Sequence, residues 1–559
     1  MMHDKTGLLH LAEIMSQRGY HHLVISPGSR NAPIVTVFAN RPEFKCYTIV
    51  DERSAAFFAL GMAQQLGQPV AVACTSGTAV LNYAPALAEA FYQRIPLLVL
   101  TADRPVEWVD QGDGQTIRQR DAFGPHVKLS VELPQAPQNN DDLWYNDRLI
   151  SKAMNALLYP APGPVHINLP FSEPLYGFDH RLESMPKDVQ MLQPEAVLGN
   201  DIQNELASLW IKSNKKLILV GQHSPDKKLE KLLVQLAQRK DVVVLTETTS
   251  NVFDPAFISC IDRCLAVSQE KEQFRPDLLL TLGGPIVSKR VKSFLRKSPI
   301  ITHINLDVAD PEMDTYQKLT HALKVTPVLA LAFFAAQADV SQSNFSALWQ
   351  QASSCASTLH QTFIGSHPYS DLTIFDKIVQ SVPAHFDLQL ANSTPVRYAQ
   401  LFDWPFQHRF DANRGTSGID GSLSTAAGAA MVSGKPTLLI SGDLGFLYDS
   451  NGLWNKHLPH HLKVIVINNG GGGIFRFIEG PAKTGFLEPF FEARHRQSAE
   501  YIAKAFGVTY FSASDATSLD AILPLFFEAE GATCLLEIHS PPEESGLMIR
   551  GYFDSLSRS

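Results

Sequence analysis

A carboxylate, an amide and a run of glycines form the most chemically pointed arrangement in this chain. Residues 436–475 read PTLLISGDLGFLYDSNGLWNKHLPHHLKVIVINNGGGGIF. Two short apolar stretches, 437–440 and 464–467, each run into a polar turn. The first turn presents Gly442 and Asp443, the second Asn468, Asn469, Gly470 and Gly471. Asp443 and Asn469 lie 26 residues apart, room for a strand, a crossover helix and a neighbouring parallel strand. The spacing predicts a carboxylate and an amide oxygen side by side at the carboxyl ends of the strands, where open α/β sheets bind ligands. Oxygen ligands beside glycine backbone suit Mg²⁺ bridged to a diphosphate. Either half of the pattern alone is an ordinary strand-ending turn.

Glu52 is a second candidate, in the segment DERSAAFFALGMA (51–63). It follows a strand-like stretch, 46–50, and opens a helix rich in Ala, Phe and Leu. A carboxyl in apolar surroundings holds its proton to higher pH and becomes usable in acid–base chemistry. The plainer alternative is a glutamate favoured by the positive end of a helix dipole. Other reactive side chains point nowhere. His166 in VHINLP reads as a packed strand residue. His460 and His461 lack the helical spacing of a zinc enzyme, and Ser76 is not in a GxSxG elbow.

The elements that must position these residues follow an α/β rhythm, with apolar strand-like runs alternating with helix-length segments. At about 150 residues per domain, 559 residues suggest three or four domains. Three blocks are distinguishable. The first, 1–175, has strands expected at 22–25, 70–75, 97–101 and 165–169. A polar, Pro-bearing stretch, 171–200, reads as a linker. The central block, 190–340, has strands expected at 216–220, 242–246, 278–282 and 301–306. Its right boundary is vague, since 325–338 and the Ser/Gln-rich stretch after it read as helix or tether. The third, 365–559, holds the Asp/Asn motif and closes with a strand at 533–538. The outer blocks share a rhythm consistent with distant duplication. The formal charge of −9 argues against a general nucleic-acid binder. The amphipathic first twenty residues carry no secretory signal, and the apolar run 328–336 is far short of a membrane span. Six scattered cysteines without a CxxC pair suggest neither a zinc site nor a disulfide framework, and the cytoplasm is the expected location.

The Gly-Asp followed some two dozen residues later by Asn-Asn matches the thiamine diphosphate signature. Over nearly its full length the chain resembles the thiamine diphosphate-dependent decarboxylase superfamily. The resemblance is carried by SPGSRN (26–31), DERSAAFFALG (51–61), TSGTAVLN (75–82), TADRP (101–105), NSTPVR (392–397) and NRGTSGIDG (413–421). The first and last of these mark a menaquinone-pathway branch. The resemblance implies a pyrimidine-binding domain, a central domain and a diphosphate-binding domain, each a doubly wound parallel sheet. It implies a homodimer or homotetramer with the cofactor across the subunit interface. Glu52 would then hydrogen-bond the aminopyrimidine ring so that its amine, as an imine, takes the proton from the thiazolium carbon. Asp443, Asn469 and the Gly471 carbonyl would bind Mg²⁺ or Mn²⁺. Ser393, Gly442, Leu444, Gly472 and Ile474 would contact the diphosphate or its neighbourhood, and Ile419 would prop the folded cofactor.

The implied enzyme is a transferase that decarboxylates 2-oxoglutarate and adds the succinyl carbanion equivalent to isochorismate. Those substrates bring four carboxylates to a site already holding a diphosphate, so fixed cations are required. Arg is preferred for its planar, two-point fork. Arg30, Arg104, Arg397 and Arg414 lie in the matching loops, and Lys289 and Arg290 in the central block. Ser29 and Gln115 carry over as contacts to substrate and intermediate. Two departures stand out. Gly114 replaces the Asn common before Gln115, and Gly470–Gly473 removes two side chains near the diphosphate while leaving backbone donors. Alternatives are an acetohydroxyacid synthase or simple 2-oxoacid decarboxylase, and a non-catalytic cofactor-binding relative.

Overall fold

A computed structural model describes residues 5–268, 271–338, 343–476 and 485–558. Residues 339–342 of the Ser/Gln-rich stretch lie outside them. The first sheet contains β1 (His22–Ile25), β2 (Lys45–Thr48), β3 (Val70–Cys74), β4 (Leu97–Asp103), β5 (Leu129–Glu132) and β6 (Val165–Pro170). The second contains β7 (Lys216–Val220), β8 (Val242–Thr246), β9 (Leu278–Leu282), β10 (Thr302–Leu306) and β11 (His321–Leu323). The third contains β12 (Asp387–Leu390), β13 (Phe410–Asp411), β14 (Thr437–Gly442), β15 (Leu462–Asn468), β16 (Thr509–Ala513) and β17 (Cys534–His539). Every pairing within them is parallel. The expected α/β architecture of three doubly wound parallel sheets is the one adopted.

The first sheet runs β2-β1-β3-β4-β6-β5 and the third β13-β12-β14-β15-β17-β16. Counted from its own first strand, each follows the order 2-1-3-4-6-5. The central sheet, β11-β10-β9-β7-β8, reverses at the equivalent place. Strands buried on both faces explain the near-continuous apolar runs read from the sequence. Val70, Val72 and Cys74 of β3 join one core, while Ala71 and Ala73 join another on the opposite face. The stretch between β6 and the helix Asn200–Lys212 has neither helix nor strand. It is strapped down where Arg18 donates to both carboxylate oxygens of Asp188, at 2.5 and 2.9 Å. Residues 325–338, read as helix or tether, include the helix Pro327–Ala335.

One core is shared between the outer sheets. It passes from β3 through the helices Glu52–Leu66 and Ser422–Ser433 to Val464 and Val466 of β15. Those helices meet backbone to backbone. A Cβ on Gly61 would collide with the Thr425 carbonyl oxygen, and one on Gly428 with that of Phe58. The central block docks through Ala266 and Val287, which join the third domain's core, and through polar pairing. Asn251 accepts from Phe410 N–H and donates to Phe410 O, each at 2.8 Å, adding a side-chain rung to β13.

Candidate active site

The order of the third sheet reverses between β12 and β14, and loops leaving two such strands diverge to open a crevice. A cavity of about 160 Å³ occupies that crevice. Its lining includes Ser393, Ile419, Gly442, Asp443, Leu444, Asn469, Gly471, Gly472 and Ile474, all nine cofactor positions expected from the sequence. Pockets for whole drug-sized ligands run from about 300 Å³, so this cavity suits one end of a larger molecule. Ser393 sits at φ +75°, a strained conformation of the kind that gathers at ligand sites.

Gly442 pairs with Ile467 across adjacent parallel strands, which brings the two turns together. The Asp443 carboxylate is 3% exposed and accepts from Gly471 N–H at 2.9 Å and from its neighbour Leu444 N–H at 2.6 Å. His495 Nε2 lies 3.2 Å from it, and Asp443 raises the His495 pKa above the ordinary histidine value. Asn469 donates its amide to Asp371 at 3.3 Å. Asn468 has a structural task instead. It donates to Glu537 at 2.7 Å and to Gln497 O at 3.0 Å, and accepts from Gly470 N–H at 3.0 Å. Gly471 is obligatory, with φ +148° and Glu492 O 2.5 Å from where a Cβ would stand.

The expectation that the glycine run keeps free backbone donors needs correction. Gly470 N–H goes to Asn468, Gly471 N–H to Asp443, Gly472 N–H to Glu492 O and Gly473 N–H to Gly471 O. Buried backbone donors find partners wherever the fold offers them, here two side chains and two carbonyls.

The expected substrate residues form two groups. At the reversal of the first sheet, Ser29 is exposed and Arg30 is 5% exposed. Arg30 donates to Phe171 O and pairs with Glu173, both at 3.1 Å. Arg104 pairs with Asp113 at 3.2 Å and donates to Gly114 O at 3.2 Å. Burial of Arg30, with the Arg104 charge beside it, lowers the Arg30 pKa. Gln115 is exposed with φ +59°, its backbone against Gly77. The second group joins the central and third sheets. Arg414 donates to Asn392 at 2.7 Å, and Asn392 donates to Asn413 O and Gly418 O, both at 2.6 Å. Burial lowers the pKa of Arg397 and Arg414.

Lys289 and Arg290 open the helix Lys289–Lys297. Lys289 is exposed, and Arg290 stacks on the Phe553 ring at 4.0 Å. The turn before them is braced. Glu247 accepts from Val287 and Ser288 N–H, each at 2.7 Å, while Ser288 caps the helix and donates its hydroxyl to Asp262. Arg397 donates to Val287 O at 3.3 Å. Burial raises the Glu247 pKa to about 7. The half-buried Lys292 faces Glu247, Arg414 and Arg397 electrostatically. Sequence reasoning missed Glu247, Asp262 and Lys292, and Asn392 was visible only as part of NSTPVR.

Glu52 is the first residue of its helix, capped by Asp51, which accepts from Ser54 N–H at 3.1 Å. Asn451 fixes Asp51 at 2.7 Å. Asn82 donates to Glu52 at 3.4 Å. The apolar enclosure expected of Glu52 is not supplied by its own chain, since the residue is half-buried and does not line the cavity. His166 is fully buried between Thr101 and Ser130. Burial lowers its pKa to about 3, as befits the packed strand residue expected.

Three domain families match in chain order. They are the thiamine pyrophosphate enzyme N-terminal TPP binding domain (residues 5–123), the middle domain of thiamine pyrophosphate enzymes (189–390) and the C-terminal TPP binding domain (393–538). The chain is 40% identical to 2-succinyl-5-enolpyruvyl-6-hydroxy-3-cyclohexene-1-carboxylate synthase of Flavobacterium johnsoniae, covering 100% of both chains. The Porphyromonas gingivalis protein of that name is 39% identical over 99% of this chain and 98% of its own. The chain belongs to the 2-succinyl-5-enolpyruvyl-6-hydroxy-3-cyclohexene-1-carboxylate synthase family. In this member of the synthase family, the cavity residues fit a metal-bound diphosphate. Asp443 offers a carboxylate and Asn469 an amide oxygen, while the Gly471 carbonyl, which accepts from Gly473 at 3.0 Å, keeps a second lone pair. These are the hard donors Mg²⁺ prefers. Among the described residues no group of three His, Cys, Asp or Glu side chains is placed to hold a metal ion.

Proposed function

We propose that the protein decarboxylates 2-oxoglutarate on thiamine diphosphate and adds the succinyl unit to isochorismate. The products would be CO2 and 2-succinyl-5-enolpyruvyl-6-hydroxy-3-cyclohexene-1-carboxylate, in menaquinone biosynthesis. The observation that carries this reading is the convergence of nine cofactor positions on one cavity, in a chain matching synthases of that name from end to end. When bound, thiamine diphosphate supplies a nucleophilic carbon and an electron sink for loss of CO2.

The chain's own residues divide the remaining work. Asp443, Asn469 and the Gly471 carbonyl would hold Mg²⁺ or Mn²⁺ against the diphosphate, and Ile419 would support the folded cofactor from below. Glu52 would hold a proton at the aminopyrimidine ring. Arg30, Arg104, Lys289, Arg290, Arg397 and Arg414 would neutralise and orient the substrate carboxylates, with Ser29 and Gln115 hydrogen-bonding nearby. Residues 1–175 would bind the pyrimidine and 365–559 the diphosphate, with 190–340 between them.

A homodimer, or a homotetramer built from two, would bring Glu52 of one subunit over the cavity of another. Supporting this, Val50 and Leu81 beside Glu52 are each 47% exposed, apolar surface that a second chain would cover. No helix among the described residues is long and apolar enough to cross a membrane, and the substrates are water-soluble acids, so we assign the cytoplasm.

The test is direct. Purified protein is mixed with Mg²⁺, thiamine diphosphate, 2-oxoglutarate and isochorismate, and the product is identified by mass. Absence of that product, or faster turnover of pyruvate than of 2-oxoglutarate, would overturn the reading in favour of another 2-oxoacid enzyme.

A further inference from the structure

We propose that Asp371 is a positioning residue for the metal. It fixes the amide of Asn469 so that its oxygen, and not its nitrogen, faces the cation. The inference rests on the Mg²⁺–diphosphate site proposed above and adds a residue that neither the motif nor the cavity lining contains.

Asp371 is the first residue of the helix Asp371–Ser381 and is 4% exposed. One carboxylate oxygen, Oδ1, accepts from the hydroxyls of Ser540 and Ser545, the latter at 3.3 Å. Its own N–H donates to Ser545 Oγ at 3.0 Å. The carboxylate is thereby tied to the end of β17 and to the helix Pro542–Ser557. Its other oxygen, Oδ2, lies 3.3 Å from the Asn469 amide.

An ionised carboxylate has no proton to give, so Oδ2 accepts from the neighbouring amide. The atom of Asn469 that meets Asp371 must therefore be Nδ2, and Oδ1 turns to the opposite side, where Asp443 and Gly471 line the cavity. A flipped amide would set two acceptors face to face and turn an N–H toward the cation. The nitrogen end of the amide also has Gly473 beside it. A Cβ on Gly473 would stand 2.6 Å from Nδ2, so the glycine leaves room for the orientation that Asp371 selects. Partners that orient metal ligands typically contribute 10- to 100-fold, on the order of one to two powers of ten, in metal affinity.

The experiment reads metal binding, not turnover. Protein at saturating thiamine diphosphate is titrated with Mn²⁺ while the electron paramagnetic resonance signal of the free ion reports binding. Asp371→Asn is expected to weaken Mn²⁺ by about tenfold or more, with turnover recovering as Mg²⁺ is raised. Such recovery distinguishes a misoriented ligand from general structural damage. Gly473→Ala crowds the same amide nitrogen without touching Ser540 or Ser545, and is expected to weaken Mn²⁺ as well. It decides the matter if Asp371→Asn does not fold. Wild-type Mn²⁺ affinity in a folded Asp371→Asn protein would overturn the proposal, as it would in Gly473→Ala where that variant decides. A wild-type protein that takes up no Mn²⁺ would overturn the cofactor site itself, and this inference with it.

Discussion

Glu52 and Asp443 show how differently two acids can be legible. Asp443 was identifiable because its partner motif lies on the next parallel strand, so a sequence distance translates directly into adjacency. Asn469 followed for the same reason. The residues that hold these two were invisible. Asp371 lies 98 positions from Asn469, and nothing in its local sequence distinguishes it from any acid at a helix start. His495 meets Asp443 from a stretch with neither helix nor strand. Glu52 could be picked out by type and position, but its half-buried setting depends on surface that its own chain leaves open. Glu52→Gln keeps the shape and removes the exchangeable proton. Turnover is expected to fall by about 100-fold or more, with circular dichroism and thiamine diphosphate binding near wild type. Undiminished turnover would remove Glu52 from the proposed role.

Among the elements, strands buried on both faces were the easiest to read. Those expected at 22–25, 216–220, 242–246 and 278–282 span those same residues. The strands not anticipated are short or polar. β12 reads Asp-Leu-Gln-Leu, yet all four residues are buried. Its acid accepts from Gln65 at 3.2 Å and lies 3.6 Å from Lys435, so long-range partners permit what local pattern argues against. Lys289 and Arg290, expected to meet the substrate, open a basic helix whose Lys289, Arg296 and Lys297 are exposed. Its start is set by Glu247, whose two oxygens each accept a backbone N–H. Glu247→Gln leaves one of those donors facing an amide N–H, and an unsatisfied buried donor costs about 1–3 kcal/mol. If the brace positions Lys289 and Arg290, KM for the acidic substrates should rise by about tenfold. Thiamine diphosphate affinity should be unchanged. An unaltered KM would leave Glu247 a purely structural group.

For the whole molecule, the duplicated rhythm was visible in the sequence, but the shared strand order was not, because spatial order depends on crossovers that no local pattern encodes. The contact between the outer sheets was equally hidden, since nothing in the local sequence marks Gly61 and Gly428 as points of contact. Gly61→Ala should lower the melting temperature, because an interior helix backbone must shift to admit the new methyl, at about 1–3 kcal/mol. An unchanged melting temperature would show that the helices can separate freely. The same contact carries a titrating group. Asp449 is fully buried and accepts from Ser424 N–H and Oγ at 2.7 and 2.8 Å. Burial raises its pKa to about 7. With the folded value above the unfolded one, protonation favours the fold. The stability it contributes is full below about pH 4 and is lost as the pH rises through about 7. Asp449→Asn removes that dependence. The stability of the variant relative to wild type should therefore improve from pH 4 to pH 8, as read from urea midpoints. A constant difference would show that Asp449 does not titrate there.

Backbone contact at Gly61 and Gly428 ties the two outer lobes together with no side chain between them. Any larger residue at either position would have to prise that seam apart, so the seam tolerates only the smallest side chain on each face.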